Sequence, residues 1–109
     1  MLILPTEAVR GEIRSADAAR FLAWICSAKP GWRAEYHVGN LAAERLDDPT
    51  LHTVGRLFLA ASDIGLVTLT QRRVEPEACS YEAVRTRHTL LVIERKILDN
   101  VIRPRGKRE

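Results

Sequence analysis

The sequence predicts an α+β fold in a single domain: a helix, a short strand, two further helices, a β-hairpin, and a C-terminal helix or strand extension. Three observations carry this reading. Residues 49–64 place Leu51, Val54, Leu57, Phe58, Ala61 and Ile64 at helical spacing between Asp48-Pro49 and Gly65. Two later segments alternate apolar and polar side chains across a short link that carries a proline, as half-buried strands do. At 109 residues, 46% hydrophobic and 28% charged, the chain suits one core and no second domain.

The first helix starts near Ser15, a good cap, with Asp17 in its first turn. Ala18, Phe21, Leu22, Ile25 and Cys26 form its apolar face, and Lys29-Pro30-Gly31 ends it, because proline cannot continue the helical ladder. At least one of Trp24 and Trp32 is expected to pack on the core. Residues 33–38 read as a short strand that Gly39-Asn40 breaks, with Asn40 opening a brief helix over 41–46.

The next start signal is the sharpest. Asp48 suits the cap, Pro49 suits the first helical position where a missing N–H costs nothing, and Gly65 suits a left-handed close. The strands follow at 66–74, with Val67 and Leu69 on one face, and at 79–87, with Tyr81 and Ala83 on one face; Glu75-Pro76-Glu77-Ala78 joins them. Residues 89–103 can be drawn as a helix with Leu90, Leu91, Ile97, Leu98 and Val101 on one side, or Leu90 to Ile93 can extend the last strand. Residues 1–103 are thus one domain, and 104–109 are expected to be a disordered basic tail.

Several function classes find no support in this pattern. No apolar run approaches the ~20 residues of a membrane span, and Met1-Leu2-Ile3-Leu4-Pro5 is too short and uncharged for a secretory signal, so a cytoplasmic location is expected. Cys26 and Cys79 match no metal or redox spacing and are expected to be core or half-buried thiols. His37, His52 and His88 never fall at metal-ligand spacing with each other or with a cysteine, so no metal or cofactor is expected. A phosphate loop and a serine elbow are absent, and the small acidic cluster Glu44, Asp47 and Asp48 is partly explained by capping. The expectation is a protein that is not an enzyme.

The charge is uneven. Residues 1–69 carry seven Lys or Arg against eight Asp or Glu, whereas 70–109 carry ten against six, within an overall +3. A basic second half suits a polyanionic partner.

The order of elements, with the run Phe58-Leu59-Ala60-Ala61-Ser62-Asp63-Ile64-Gly65-Leu66-Val67-Thr68-Leu69 passing from helix through glycine into strand, resembles a winged helix-turn-helix domain over residues 15–87. Gly65 to Arg73 with Tyr81 to Arg85 is also similar to short proteobacterial and phage-associated proteins of unknown function, a likeness that implies no activity. In the winged-helix family the second helix of the motif enters the major groove and the wing reaches the backbone or minor groove. The resemblance therefore implies DNA contact through helix 49–64, by Thr50, His52, Thr53 and Arg56, and through the wing, by Arg72, Arg73, Arg85 and Arg87. Arginine suits this use because its planar fork donates two parallel hydrogen bonds to guanine edges or phosphates. The tail cations Arg103, Arg105, Lys107 and Arg108 would add non-specific attraction.

The chain departs from a strongly basic DNA binder. Helix 49–64 has one arginine and no lysine, Asp47, Asp48 and Asp63 lie at its ends, and Glu75 and Glu77 sit at the wing tip. Two functions follow: a DNA-binding regulator, dimeric through 89–103 with Leu91, Leu98 and Val101 as an apolar seam, or a non-enzymatic protein-interaction module, for instance a phage or mobile-element protein that docks on a host factor.

Overall fold

The computed structural model describes residues 15–103, with side chains from Ala18 onward. The expected side-chain roles of Ser15 and Asp17 therefore lie outside the described residues, as do the Met1–Pro5 segment and the tail with Arg105, Lys107 and Arg108. Among the described residues the fold is α+β, with four helices and one three-stranded antiparallel sheet. In chain order these are α1 (Ser15–Ser27), β1 (Arg33–Gly39), α2 (Leu41–Glu44), α3 (Pro49–Ile64), β2 (Val67–Glu75), β3 (Ala78–Arg85) and α4 (Val92–Ile102). The sheet order is β1-β3-β2, so the last strand lies between the other two.

Helix α3 forms the centre of the core. Leu51, Val54, Leu57, Phe58 and Ala61 are all buried on its apolar face, and each of the four larger side chains removed from water contributes about 1.5–3 kcal/mol. Around Phe58 the aromatic rings lie edge-on from Phe21 at 5.2 Å, stacked from Tyr36 at 4.3 Å and tilted from Trp24 at 6.4 Å. Trp24 is thus a core residue, and Trp32 packs half-buried beside it. The ends of α3 follow the capping rules: Asp48 accepts the Leu51 N–H at 3.0 Å, with Pro49 in the first turn. At the other end Gly65 adopts φ +100°, and the N–H of Leu66 returns to the Ala61 carbonyl at 2.9 Å.

Helix α2 is shorter than the 41–46 expected and buries none of its residues. Leu41 packs half-buried on the core, and polar contacts hold the rest. Asn40 caps it by accepting the Ala43 N–H, and the Tyr81 hydroxyl accepts the Leu41 N–H at 3.2 Å. The strand before it runs one residue further than expected, through Gly39, and ends at Asn40. A bulge lies in this strand: the β1–β3 register slips between Glu35 and His37, leaving Tyr36 as the extra residue. Tyr36 stacks on Phe58, and His37 lies 6.0 Å from the Tyr81 ring.

The hairpin turns tighter than expected, with Glu75 paired to Ala78. Val67 is the buried residue of β2 and Leu69 is half-buried, while every residue from Thr70 to Glu75 is exposed. The distal half of β2 thus faces solvent. Strand β3 stops at Arg85, short of the expected Arg87, because Thr86 turns away and its hydroxyl donates to the Gly65 and Leu66 carbonyls.

The C-terminal segment is a helix, and Leu90 to Ile93 do not extend β3. Two features explain this outcome. Beyond Arg85 the last strand has no residue to pair with, since β1 begins at Arg33 opposite Val84 and β2 at Val67 opposite Arg85, and Glu94, in the first turn of α4, accepts the Leu91 N–H at 3.0 Å. Leu98 is fully buried, and Val101 and Ile102 pack half-buried on the core. The expected seam of Leu91, Leu98 and Val101 is therefore divided: Leu98 and Val101 serve the chain's own core, whereas Leu91 is exposed.

Candidate nucleic-acid interface

On α3 the residues His52, Arg56, Leu59 and Asp63 recur at four- and three-residue steps along the face opposite Phe58. Arg56 and Asp63 are exposed, Leu59 is 53% exposed, and His52 and Thr53 are half-buried. The Thr53 hydroxyl donates to the Pro49 carbonyl at 3.0 Å, which fixes its rotamer while its oxygen can still accept. Thr50 is placed less favourably. It is half-buried and lies four and seven residues before Val54 and Leu57, which are fully buried, so it flanks the apolar stripe.

The hairpin supplies the second group. Arg72 pairs in register with Ser80 and Arg73 with Cys79, so the two arginines leave β2 on opposite faces. The Arg72 side chain is 68% exposed and lies 3.9 Å from the Glu82 carboxylate, which holds Arg33 more closely at 3.0 Å. An exposed pair at that distance leaves Arg72 able to exchange partners at little cost. Beside Glu82 in the sheet, Glu35 is buried and accepts a 2.5 Å hydrogen bond from the Ser80 hydroxyl. This face of the hairpin is therefore a mixed field of both signs.

Arg73 lies on the other face. It donates to the Pro76 carbonyl and lines a polar cleft of about 420 Å³ with Gly39, Asn40, Gln71, Cys79 and Tyr81. Sequence reasoning missed this cleft, since its walls come from the end of β1, the start of α2 and the hairpin. Next to it, His37 Nε2 donates to Glu44 Oε1 at 2.6 Å and ties α2 to β1. Gly39 makes room for that bond: at φ +145°, a Cβ there would meet Glu44 Oε1 at 2.6 Å and His37 Nε2 at 3.0 Å. Glu44, which the sequence places in an acidic cluster, is thus a structural partner of a histidine.

Arg85 and Arg87 part company. Arg87 is exposed, but Arg85 is 7% exposed and turned inward. Its Nε donates to the Ile25 carbonyl at 2.8 Å, and its Nη1 donates to the carbonyls of Thr86 and His88 at 2.9 Å each. Burial pushes its pKa down from the usual arginine value. The expected phosphate contact is replaced by a clamp between the end of α1 and the loop leading to α4. The reason is positional, since Arg85 shares the core-facing side of β3 with Ala83.

Both cysteines are free and half-buried, and burial raises the Cys26 thiol above its ordinary value, the opposite of an activated nucleophile. Among the described residues no group of three or more His, Cys, Asp or Glu side chains is arranged to hold a metal ion, and no helix is long and apolar enough to cross a membrane. Comparison of the chain with known protein families, curated proteins and solved structures finds no match.

Proposed function

We propose that this chain is a winged-helix module that binds duplex DNA. The observation that carries this reading is the hairpin. It follows α3 directly through Gly65, the distal half of its first strand is exposed, and that strand carries Arg72 and Arg73 out from the core. The element order and the sheet order β1-β3-β2 are compatible with that reading. On this reading His52, Thr53 and Arg56 meet the major groove and Arg72, Arg73 and Arg87 meet phosphates, while Arg85 takes no part in the contact and clamps α1 to the loop before α4.

With few cations, most of the affinity is electrostatic and modest. The test is fluorescence anisotropy with a labelled mixed-sequence duplex at low salt. The Arg72→Ala/Arg73→Ala variant is expected to weaken binding about tenfold or more, and Arg56→Ala by several-fold. Equal affinities for all three proteins would refute the assignment.

A second reading, a protein-interaction module without nucleic-acid contact, is favoured by a separate observation: large apolar side chains lie exposed around the start of α4. It predicts no duplex binding at any salt concentration.

A further inference from the structure

The cleft between the end of β1, the start of α2 and the hairpin gathers groups whose hydrogen-bonding capacity is unused within the chain. Strand register builds it. Gln71 lies opposite Tyr81 and Arg73 opposite Cys79, so all four side chains share one face of the hairpin. Asn40, at the end of β1, and Glu77, in the turn, complete the walls.

Two of the lining side chains have fixed roles. Asn40 Oδ1 accepts the Ala43 N–H, and the Tyr81 hydroxyl oxygen accepts the Leu41 N–H. Their oxygens being engaged, the Asn40 amide hydrogens and the Tyr81 hydroxyl hydrogen are left to donate, and neither finds an acceptor among the described residues. Arg73 gives one N–H to the Pro76 carbonyl, which orients its planar fork and leaves its other donors open. The Glu77 carboxylate has no partner among the described residues.

We infer that this cleft binds a small zwitterion of the α-amino acid class. The ligand carboxylate sits on Arg73, Tyr81 and Asn40, and its ammonium group sits on Glu77. Charge decides the class. A simple anion meets the donors but is repelled by Glu77, and a simple cation is repelled by Arg73. An amino acid carries both charges within a few bonds, and its carboxylate matches the guanidinium fork. The cleft, at about 420 Å³, lies within the roughly 300–1,000 Å³ of small-molecule sites. Because Arg73 then serves both ligand and phosphate, the ligand is expected to lower duplex affinity. That consequence alone rests on the DNA-binding reading.

Nuclear magnetic resonance of the full chain, titrated singly with the common L-amino acids to millimolar concentration, tests the site. At least one is expected to shift the amide signals of residues 39–41 and 71–81 saturably. For that amino acid, the analogue lacking the amino group and the analogue lacking the carboxylate should each bind at least ~10-fold more weakly. Arg73→Ala and Glu77→Gln should each weaken binding by a similar factor. Both side chains are exposed, so signals from the core should be unchanged in the variants. Should a variant unfold, the two analogues on the wild-type chain decide. No saturable shift with any amino acid, a carboxylate analogue that binds as well, or undiminished binding in both folded variants would each overturn the proposal. Ligand binding by a chain that binds no duplex would support the site and remove only its competition with DNA.

Discussion

Tyr36 shows how one residue joins sheet to helix. Displaced inward by the bulge in β1, it stacks on Phe58, and burial pushes its phenol up to about 12. The folded pKa lies above the unfolded value near 10, so the stabilisation is fully present below pH 10 and is lost between about pH 10 and pH 12 as the unfolded chain ionises first. The loss approaches about 2–3 kcal/mol at the top of that window. Absorbance at 295 nm during alkaline titration is expected to show a phenol step near pH 12 that disappears in Tyr36→Phe. Retention of that step in the variant would assign it elsewhere.

Arg85 is the second decisive residue. It serves three carbonyls at once from a buried position, and its removal leaves them without donors. Arg85→Ala is expected to cost about 2–4 kcal/mol in denaturant unfolding while leaving the duplex affinity of the folded fraction unchanged. Lost affinity at full stability would instead make it a contact residue.

At the scale of elements, the start of α4 is set by one carboxylate. Glu94 accepts the Leu91 N–H and lies 3.0 Å from His88 Nε2. The backbone bond first, and then the histidine, hold its pKa below the ordinary glutamate value. A depressed carboxylate pKa gives stability that is present above the unfolded pKa and lost as pH falls through the folded one. The Glu94 contribution should therefore fade in the acid range, and Glu94→Gln should flatten the acid limb of the pH–stability profile followed by circular dichroism. An unchanged acid limb would show that the cap carries no pH dependence.

How far the sequence announced these elements depends on whether their signals are local. Helix α3 was fully legible, since Asp48, Pro49, Gly65 and the apolar stripe all act within a few residues of one another. The hairpin was legible from alternation, although its turn proved tighter. Helix α4 was ambiguous because four consecutive apolar residues, Leu90 to Ile93, fit either period. What decided it was that neither β1 nor β2 reaches past Arg85 to pair a longer strand, a fact of topology. The inward turn of Arg85 was legible in the alternation, which puts Arg85 on the same face of β3 as Tyr81 and Ala83. The His37–Glu44 bond left one local trace, the Gly39-Asn40 pair, which reads equally as a strand breaker.

At the scale of the whole molecule, a small core organised on Phe58 supports two projecting surfaces, the hairpin with Arg72 and Arg73 and the apolar stripe of α4. The described cations on the first surface are few and are offset by Asp63, Glu75 and Glu77, so binding should be weak, non-specific in large part and strongly salt-dependent. The most direct measurement is the affinity for a mixed-sequence duplex as a function of salt. With three to five phosphates neutralised, the log–log slope is expected at roughly −3 to −5, and about one to two units shallower in Arg72→Ala/Arg73→Ala. Absence of binding at low salt, or an affinity indifferent to salt, would contradict the account.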